Sequence, residues 1–227
     1  TGWLFFMKSA KYLQKVSFII YNVIKEGSHM NELVSKSKEL SRDVVNALTQ
    51  RNKNFDIYDI IHNLEGFIES FDIKVFYSNM EGFDIPSQIS GYSIVNSKGS
   101  PEIVVNANDS LPRQRFTMAH EFGHIIMHWD WLDNQTNGLD SDNYEVLFRK
   151  IGYNSEHLNL KEIQANEFAA ELLLPHKLLK EVIGSIEKLR EDPLLFNEIK
   201  QRVSVAFNVS STFANIQLLK IVQGEFD

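Results

Sequence analysis

The stretch FTMAHEFGHIIMH, residues 116–128, places three histidines, four residues apart, and one glutamate in an otherwise apolar run. Residues four apart lie one turn apart on the same face of an α-helix. A helix here would present His120 and His124 side by side, and together with Glu121 they fit the pattern H-E-x-x-H. Two such imidazoles can reach one Zn²⁺ ion, while the adjacent carboxylate can hydrogen-bond a water molecule on the metal.

The alternative is an ordinary helix that carries two unpaired imidazoles and a solvated carboxylate. Apolar flanks, FTMA and IIM, indicate that the helix is buried, and buried polar groups without partners are costly. The sequence therefore predicts a metal held by His120 and His124, with Glu121 as the catalytic carboxylate. His128 is about 12 Å along the helix axis from His120, so it is predicted to support a ligand or to lie at the helix end.

The composition narrows the classes of protein. The 227 residues include no cysteine, which excludes disulfides, thiolate metal sites and thiol nucleophiles, and a reducing compartment such as the cytoplasm is expected. A formal net charge of −7 argues against general binding to nucleic acid, because that binding relies on clustered cations. The uncharged run at residues 16–24 is far shorter than the roughly 20 residues that span a bilayer, so no membrane span is predicted.

The first thirty residues are interpreted as an addition to the native chain. Gly27-Ser28-His29-Met30 resembles the remnant that an expression vector leaves before a start methionine. We therefore predict a grafted peptide at residues 1–26, a vector-derived linker at 27–30 and a native start at Met30. The grafted peptide is basic whereas the rest is acidic. It is interpreted as a fused partner or substrate-like peptide or, alternatively, as an aid to crystallisation or solubility.

The remaining chain alternates helical and extended patterns in the order expected of an α+β fold. Apolar residues recur every three or four positions in residues 31–50 and 57–71, which predicts two helices. Short β-branched runs at 71–77, 89–96 and 102–108 predict a small sheet, in which the last two strands form a hairpin. A helix capped by Asp109 or Ser110 then runs to about residue 129, and another spans about 160–174.

A catalytic zinc usually has three protein ligands and one open position for water. Glu162 is the candidate third ligand, because it shares a helical face with the small residues Ala165 and Ala169, which permit a close neighbour. Asn166 lies one turn on and is predicted to orient a ligand by hydrogen bonding. Glu167 and Glu171 lie on another face and are predicted to be solvated.

Two blocks, RQRFTMAHEFGHIIMH at residues 113–128 and EIQANEFAAELLLP at 162–175, resemble the ImmA/IrrE family of zinc metallo-endopeptidases. The segment ISGYSIVNSKGSPEIVVNAN, residues 89–108, is similar to the hairpin before the active-site helix of that family. The resemblance implies a zincin-like fold with a small antiparallel or mixed sheet. It also implies zinc bound by His120, His124 and Glu162, with Glu121 as the catalytic carboxylate.

The family resemblance also implies a substrate class, namely a helix-turn-helix transcriptional repressor in the cytoplasm. The substrate is expected to lie extended along an edge of the hairpin. Stabilising the oxyanion of the reaction requires a further group. The candidates for this role are Tyr92, Arg115, His128 and His176.

The C-terminal part supplies the competing interpretation. Residues 31–175 are predicted to form the peptidase core, and residues 176–227 a helical region that resembles a helix-turn-helix. Its presumed recognition helix has one base-facing cation, Lys220, so DNA binding is not expected. The alternative function is a zinc-containing regulatory module that binds a protein without cutting it.

Overall fold

The computed structural model describes residues 30–52, 54–135, 137–139, 147–150 and 159–226. The predictions of a grafted peptide and of most of the linker fall on residues 1–29 and lie outside this set. The described chain starts with helix α1 (Met30–Arg51), followed by the short helices α2 (Ile57–His62) and α3 (Leu64–Glu69). The first predicted helix is confirmed.

The second predicted helix, over residues 57–71, is wrong in one respect, because it is broken at Asn63. The backbone of Asn63 leaves the helical region and ends α2. Its side chain then accepts a hydrogen bond from the amide of Gly66 and so caps α3. Asparagine competes well for such local bonds with the backbone, which explains how one residue interrupts a regular apolar pattern.

A four-stranded mixed sheet follows, in the spatial order β1-β3-β2-β4. Strands β1 (Lys74–Ser78) and β3 (Pro101–Asn106) are parallel. Strand β2 (Ile89–Val95) is antiparallel to β3 and to β4 (Leu147–Lys150). The predicted α+β class and the hairpin between β2 and β3 are confirmed.

Strand β4 occupies one of the two hairpin edges along which the substrate is expected to lie. It pairs along the outer side of β2, with Ser93 opposite Leu147, while β1 pairs along the outer side of β3. Both edges of the hairpin are therefore occupied by strands of the chain itself. Among the described strands, β1 and β4 each pair with one neighbour only, so the open edges of the sheet belong to them.

Helix α4 (Leu111–His128) lies against the sheet and is followed by the single turn α5 (Trp131–Asn134). Ser110 is its N-cap residue, as one of the two predicted positions, although its side chain makes no capping hydrogen bond. Helix α6 (Leu160–Leu173) packs against α4 and α1. Where α4 meets α6, Gly123 faces Phe168. A Cβ at Gly123 would lie 3.0–3.2 Å from atoms of the phenylalanine side chain.

Four helices complete the fold, namely α7 (His176–Ile183), α8 (Ile186–Glu191), α9 (Pro193–Ala206) and α10 (Ser211–Val222). Their apolar side chains, including Leu218 and Ile221, belong to the same buried cluster as Phe122 and Phe168. The C-terminal region thus shares one core with helix α4, and the boundary between residues 175 and 176 stays a prediction. Across the described ranges, no helix combines the length and the apolar character needed to cross a bilayer.

Candidate metal centre

Helices α4 and α6 bring His120, His124 and Glu162 together. The Nε2 atoms of the two histidines are 3.1 Å apart. The carboxylate of Glu162 reaches both, with Oε2 3.3 Å from His120 Nε2 and Oε1 3.1 Å from His124 Nε2. The three donor groups lie within 4.8 Å of one another. Both imidazoles are buried, whereas the Glu162 side chain is 43% exposed, so the cluster opens to solvent beside the glutamate.

Two amide side chains of α6 orient the outer nitrogens of His120 and His124, the first directly and the second through His128. Asn166 Oδ1 lies 3.0 Å from His120 Nδ1, so this nitrogen carries the proton that the oxygen accepts. On the other side, His128 Nε2 donates to Gln164 Oε1 over 2.9 Å. His128 Nδ1 then accepts a proton from His124 Nδ1, which is 3.0 Å away. This hydrogen-bond pattern assigns the proton of each paired histidine to Nδ1 and leaves its Nε2 with a lone pair.

The donor set fits a metal cation. Two Nε2 lone pairs and a carboxylate converge in one place, and the hydrogen-bond assignment supplies no proton between them. Such a group of acceptors repels itself unless a positive charge sits among them. Two imidazoles and one carboxylate are the donors of a common type of catalytic zinc site.

The pKa values of two surrounding groups bear on their charge. Burial raises the pKa of Glu162, but its contacts with His120 and His124 outweigh burial and hold the pKa well below the usual range, so the carboxylate is ionised. Burial, together with neighbouring His124, lowers the pKa of His128 to about 4. His128 is therefore neutral at pH 7, as a proton acceptor from His124 must be.

Glu121 is directed toward the sheet side of helix α4. Its carboxylate is buried, and Oε2 accepts a hydrogen bond from the hydroxyl of Ser93 on β2. Ser93 is not among the residues predicted from the sequence, because a serine in a strand carries no signal of its own. Gln164 is not among them either, although it is adjacent in sequence to the predicted small-residue face.

The candidates for oxyanion stabilisation do not gather at the cluster. Tyr92 alternates with Gly91 and Ser93 along β2, and its ring packs against Phe83, 5.6 Å between centroids, on the other face of the sheet. Arg115 is buried, and its Nε and Nη2 atoms have no hydrogen-bond partner among the described residues. It precedes His120 by five residues, which places it roughly 140° around the helix.

The other two candidates are engaged with protein groups. Both ring nitrogens of His128 are taken by the contacts with His124 and Gln164. His176 bonds to Glu171 over 2.8 Å and stacks on the ring of Phe226. His128 therefore supports a candidate ligand, which is one of its two predicted roles, and His176 lies with a different cluster.

The prediction that Glu167 and Glu171 are solvated is wrong, because both are buried. Glu167 bonds to Arg42 over 2.8 Å and to Lys220 over 2.7 Å, and Glu171 bonds to His176. Helices α1 and α10 cover the face of α6 that its own sequence marks as polar. A buried carboxylate of this kind is tolerated when cations neutralise it.

Comparison with known proteins agrees with this geometry. The pattern that defines the IrrE N-terminal-like domain, a peptidase family, matches residues 68–219, which is more than half of the chain. The chain is also similar to a protein of Bacillus subtilis strain 168 named metallopeptidase ImmA, with 25% identity over 126 residues. That match covers 56% of this chain and 61% of the relative, so it spans less than two thirds of the relative's length.

Proposed function

Because the chain belongs to the peptidase family of the IrrE N-terminal-like domain, we propose that it is a zinc-dependent endopeptidase. The observation that carries the proposal is the convergence of His120, His124 and Glu162, whose donor atoms lie within 4.8 Å of one another. In the proposed site all three bind Zn²⁺, with Asn166 and the pair His128–Gln164 holding the imidazoles. Histidine and carboxylate donors suit zinc, and the exposed side of Glu162 leaves an approach for water and substrate.

When bound, zinc would lower the pKa of a coordinated water and polarise the carbonyl of the scissile peptide. The carboxylate of Glu121 accepts a proton from the attacking water as the water oxygen bonds to the carbonyl carbon. Glu121 then delivers that proton to the amide nitrogen while the carbon–nitrogen bond breaks. The products are a carboxylic acid, which ionises, and an amine. Because water itself attacks the carbonyl carbon, no covalent enzyme intermediate is formed.

The proposed substrate is a protein, namely a helix-turn-helix transcriptional repressor in the cytoplasm, and cleavage would regulate transcription. This substrate class follows from the family resemblance. Helix α10 argues against DNA as the partner, because its cation Lys220 is held 2.7 Å from Glu167 in a largely buried ion pair. A cation held in this way is not available for phosphate contacts.

The test compares new protein N-termini, by mass spectrometry, in host cells that express the chain from Met30 or its Glu121→Gln variant. Glutamine keeps the shape of the side chain and cannot accept the proton, so we expect a discrete N-terminus only with Glu121. Glu181→Gln, a change of the same kind on helix α7, is the matched control and should behave as the wild type. Purified Glu121→Gln should still bind zinc.

Identical sets of N-termini from the wild type and Glu121→Gln, in resting and in DNA-damaged cells, would contradict the proposed proteolysis. Retained zinc together with retained repressor binding would then favour a regulatory module that acts without cutting. Loss of zinc from Glu121→Gln would instead show that the variant had damaged the site.

A further inference from the structure

Helix α4 is fixed on strand β2 by two contacts with matching spacing. A Cβ at Gly91 would lie 2.4 Å from Thr117 Cγ2 and 2.7 Å from the backbone oxygen of Val104, so glycine allows the helix to sit this close. Two residues further along the strand and four along the helix, Ser93 donates a hydrogen bond to Glu121. Two strand residues span about 6.8 Å and four helical residues about 6.0 Å, so one register makes both contacts.

The bond between Ser93 and Glu121 is buried. Ser93 is 0% exposed and Glu121 is 1% exposed. Strand β2 is held between β3 and β4, with Ser93 opposite Ile103 and Leu147, respectively. The serine hydroxyl therefore has a rigid support, and a hydrogen bond to an ionised oxygen is strong and directional.

We propose that Ser93 is the positioning residue for Glu121. Its hydroxyl fixes Oε2 and thereby sets the orientation of the whole carboxylate, which is planar. Glu121 follows His120 directly, so rotation of its side chain would move the proton acceptor away from the reacting water. Catalysis is sensitive to such displacements of about 1 Å. The inference rests on the proposed function and names a residue that assists it from the sheet.

A matched pair of variants isolates the hydroxyl from the packing. Ser93→Thr keeps the hydroxyl. Ser93→Val introduces a side chain of nearly the same shape as threonine but without the hydroxyl. Ser90 provides the control, because it lies on the same strand, is equally buried, and accepts hydrogen bonds from Arg113 instead. Ser90→Ala should therefore leave Glu121 in place.

The kinetic readout uses a proteome-derived peptide library and then the peptide that the wild type cleaves fastest. We expect Ser93→Val to lower kcat by about tenfold to a hundredfold, part of the contribution of a general base. KM and zinc affinity should stay within about twofold, since neither the substrate contacts nor the metal donors change. Ser93→Thr should retain kcat within about threefold, because it restores the donor.

Crystal structures of the zinc-loaded wild type and both variants give a readout that does not depend on activity. We expect one orientation of Glu121 in the wild type and Ser93→Thr, and several in Ser93→Val. Ser93→Ala replaces Ser93→Val if the larger side chain prevents folding. Equal kcat for the threonine and valine substitutions, or a single unchanged Glu121 orientation without the hydroxyl, would overturn the inference.

The same experiment separates this inference from the proposed function. If the wild type cleaves no peptide and no cellular protein, the proposed proteolysis fails. The crystallographic comparison still decides whether Ser93 positions Glu121. If Ser93→Val loses zinc together with activity, Ser93 supports the fold of the site in general and the inference is wrong.

Discussion

Glu162 and Glu167 lie five positions apart on helix α6 and meet opposite surroundings. Glu167 is buried between two cations of the chain, Arg42 and Lys220. Glu162 is partly exposed and faces two imidazoles whose proton assignment makes them neutral acceptors. Among the described residues, Glu167 pairs with two side-chain cations, whereas the ion-pair partners of Glu162 are the two imidazoles alone.

These two carboxylates differ in a way that separates a candidate metal ligand from a structural ion pair. Carboxylates are common on helices, and burial does not mark the functional one, since Glu167 is more deeply buried than Glu162. The distinguishing feature is the balance of charge and protons around each group. Among the described residues, Glu167 has two donors, whereas Glu162 faces two acceptor nitrogens, an arrangement that a bound cation would stabilise.

The largest effect on zinc affinity is expected of the substitution Glu162→Ala. It removes one of three proposed ligands, so we expect zinc affinity to fall by about a thousandfold or more, equivalent to about 4 kcal/mol. Competition with a chromophoric chelator measures the affinity. The melting temperature of the metal-free protein should not fall, because Glu162 is partly exposed and its removal relieves the repulsion among the three acceptors. Glu167→Gln is the control and should retain the affinity; a similar loss in both would contradict the distinction.

Glu167→Gln should instead lower the free energy of unfolding by about 2 kcal/mol at pH 7, because two largely buried cations lose their partner. Urea denaturation measures this. Burial raises the pKa of Glu167, but Lys220 and Arg42 outweigh burial and lower it. A lowered carboxyl pKa stabilises the fold fully above the unfolded value, about 4.3, and this contribution disappears as pH falls through the folded-state pKa.

The difference in stability between the wild type and Glu167→Gln should therefore be largest at neutral pH and should shrink under acidic conditions. A difference that stayed constant to pH 2 would show that the variant acts through packing. Lys220→Met, which removes one cation and keeps the apolar stem, should reproduce part of the loss.

Gln164→Leu tests a smaller effect on the metal side. Leucine cannot accept the proton of His128 Nε2. The Nδ1 atom of His128 is then no longer fixed as the acceptor for the proton on His124 Nδ1. We expect zinc affinity to fall by about tenfold, the lower end of the range for groups that orient a ligand. Gln217→Leu, which changes another buried glutamine on helix α10, is the control. An unchanged affinity in Gln164→Leu would mean that His124 is held by its packing alone.

The smallest expected effect concerns a carboxylate that is neither buried nor part of the cluster. Glu32 pairs with Lys36 one turn along α1, and both side chains are about half exposed. Lys36→Ala should change the free energy of unfolding by less than about 0.5 kcal/mol, and salt should remove the difference. A loss as large as that of Glu167→Gln would show that exposure does not separate these carboxylates.

The sequence predicted the parts of the site that obey a helical period. His120 and His124 were identified from four-residue spacing, and Glu162 from the small residues that share its face. Both inferences need one helix each and no knowledge of its neighbours. The structure brings these three groups together, and the mixed sheet and central helices agree with the predicted class.

The sequence did not predict features that depend on a second element. Glu167 and Glu171 look solvated on an isolated helix, and only the approach of α1, α10 and His176 buries them. Ser93 gains its contact from the register of α4 on β2. The pairing of β4 with β2 depends on contacts between distant residues, which no local pattern records.

The ion pair between Lys220 and Glu167 also sets an order of events during synthesis. Lys220 follows Glu167 by 53 positions, and a ribosome adds about 5–20 residues per second, so several seconds separate the two. During that interval Arg42 is already present, but Glu167 lacks its second cation and α10 does not yet cover α6. The helix that carries Glu162 therefore acquires its final support only after Lys220 has been synthesised and α10 has packed against it.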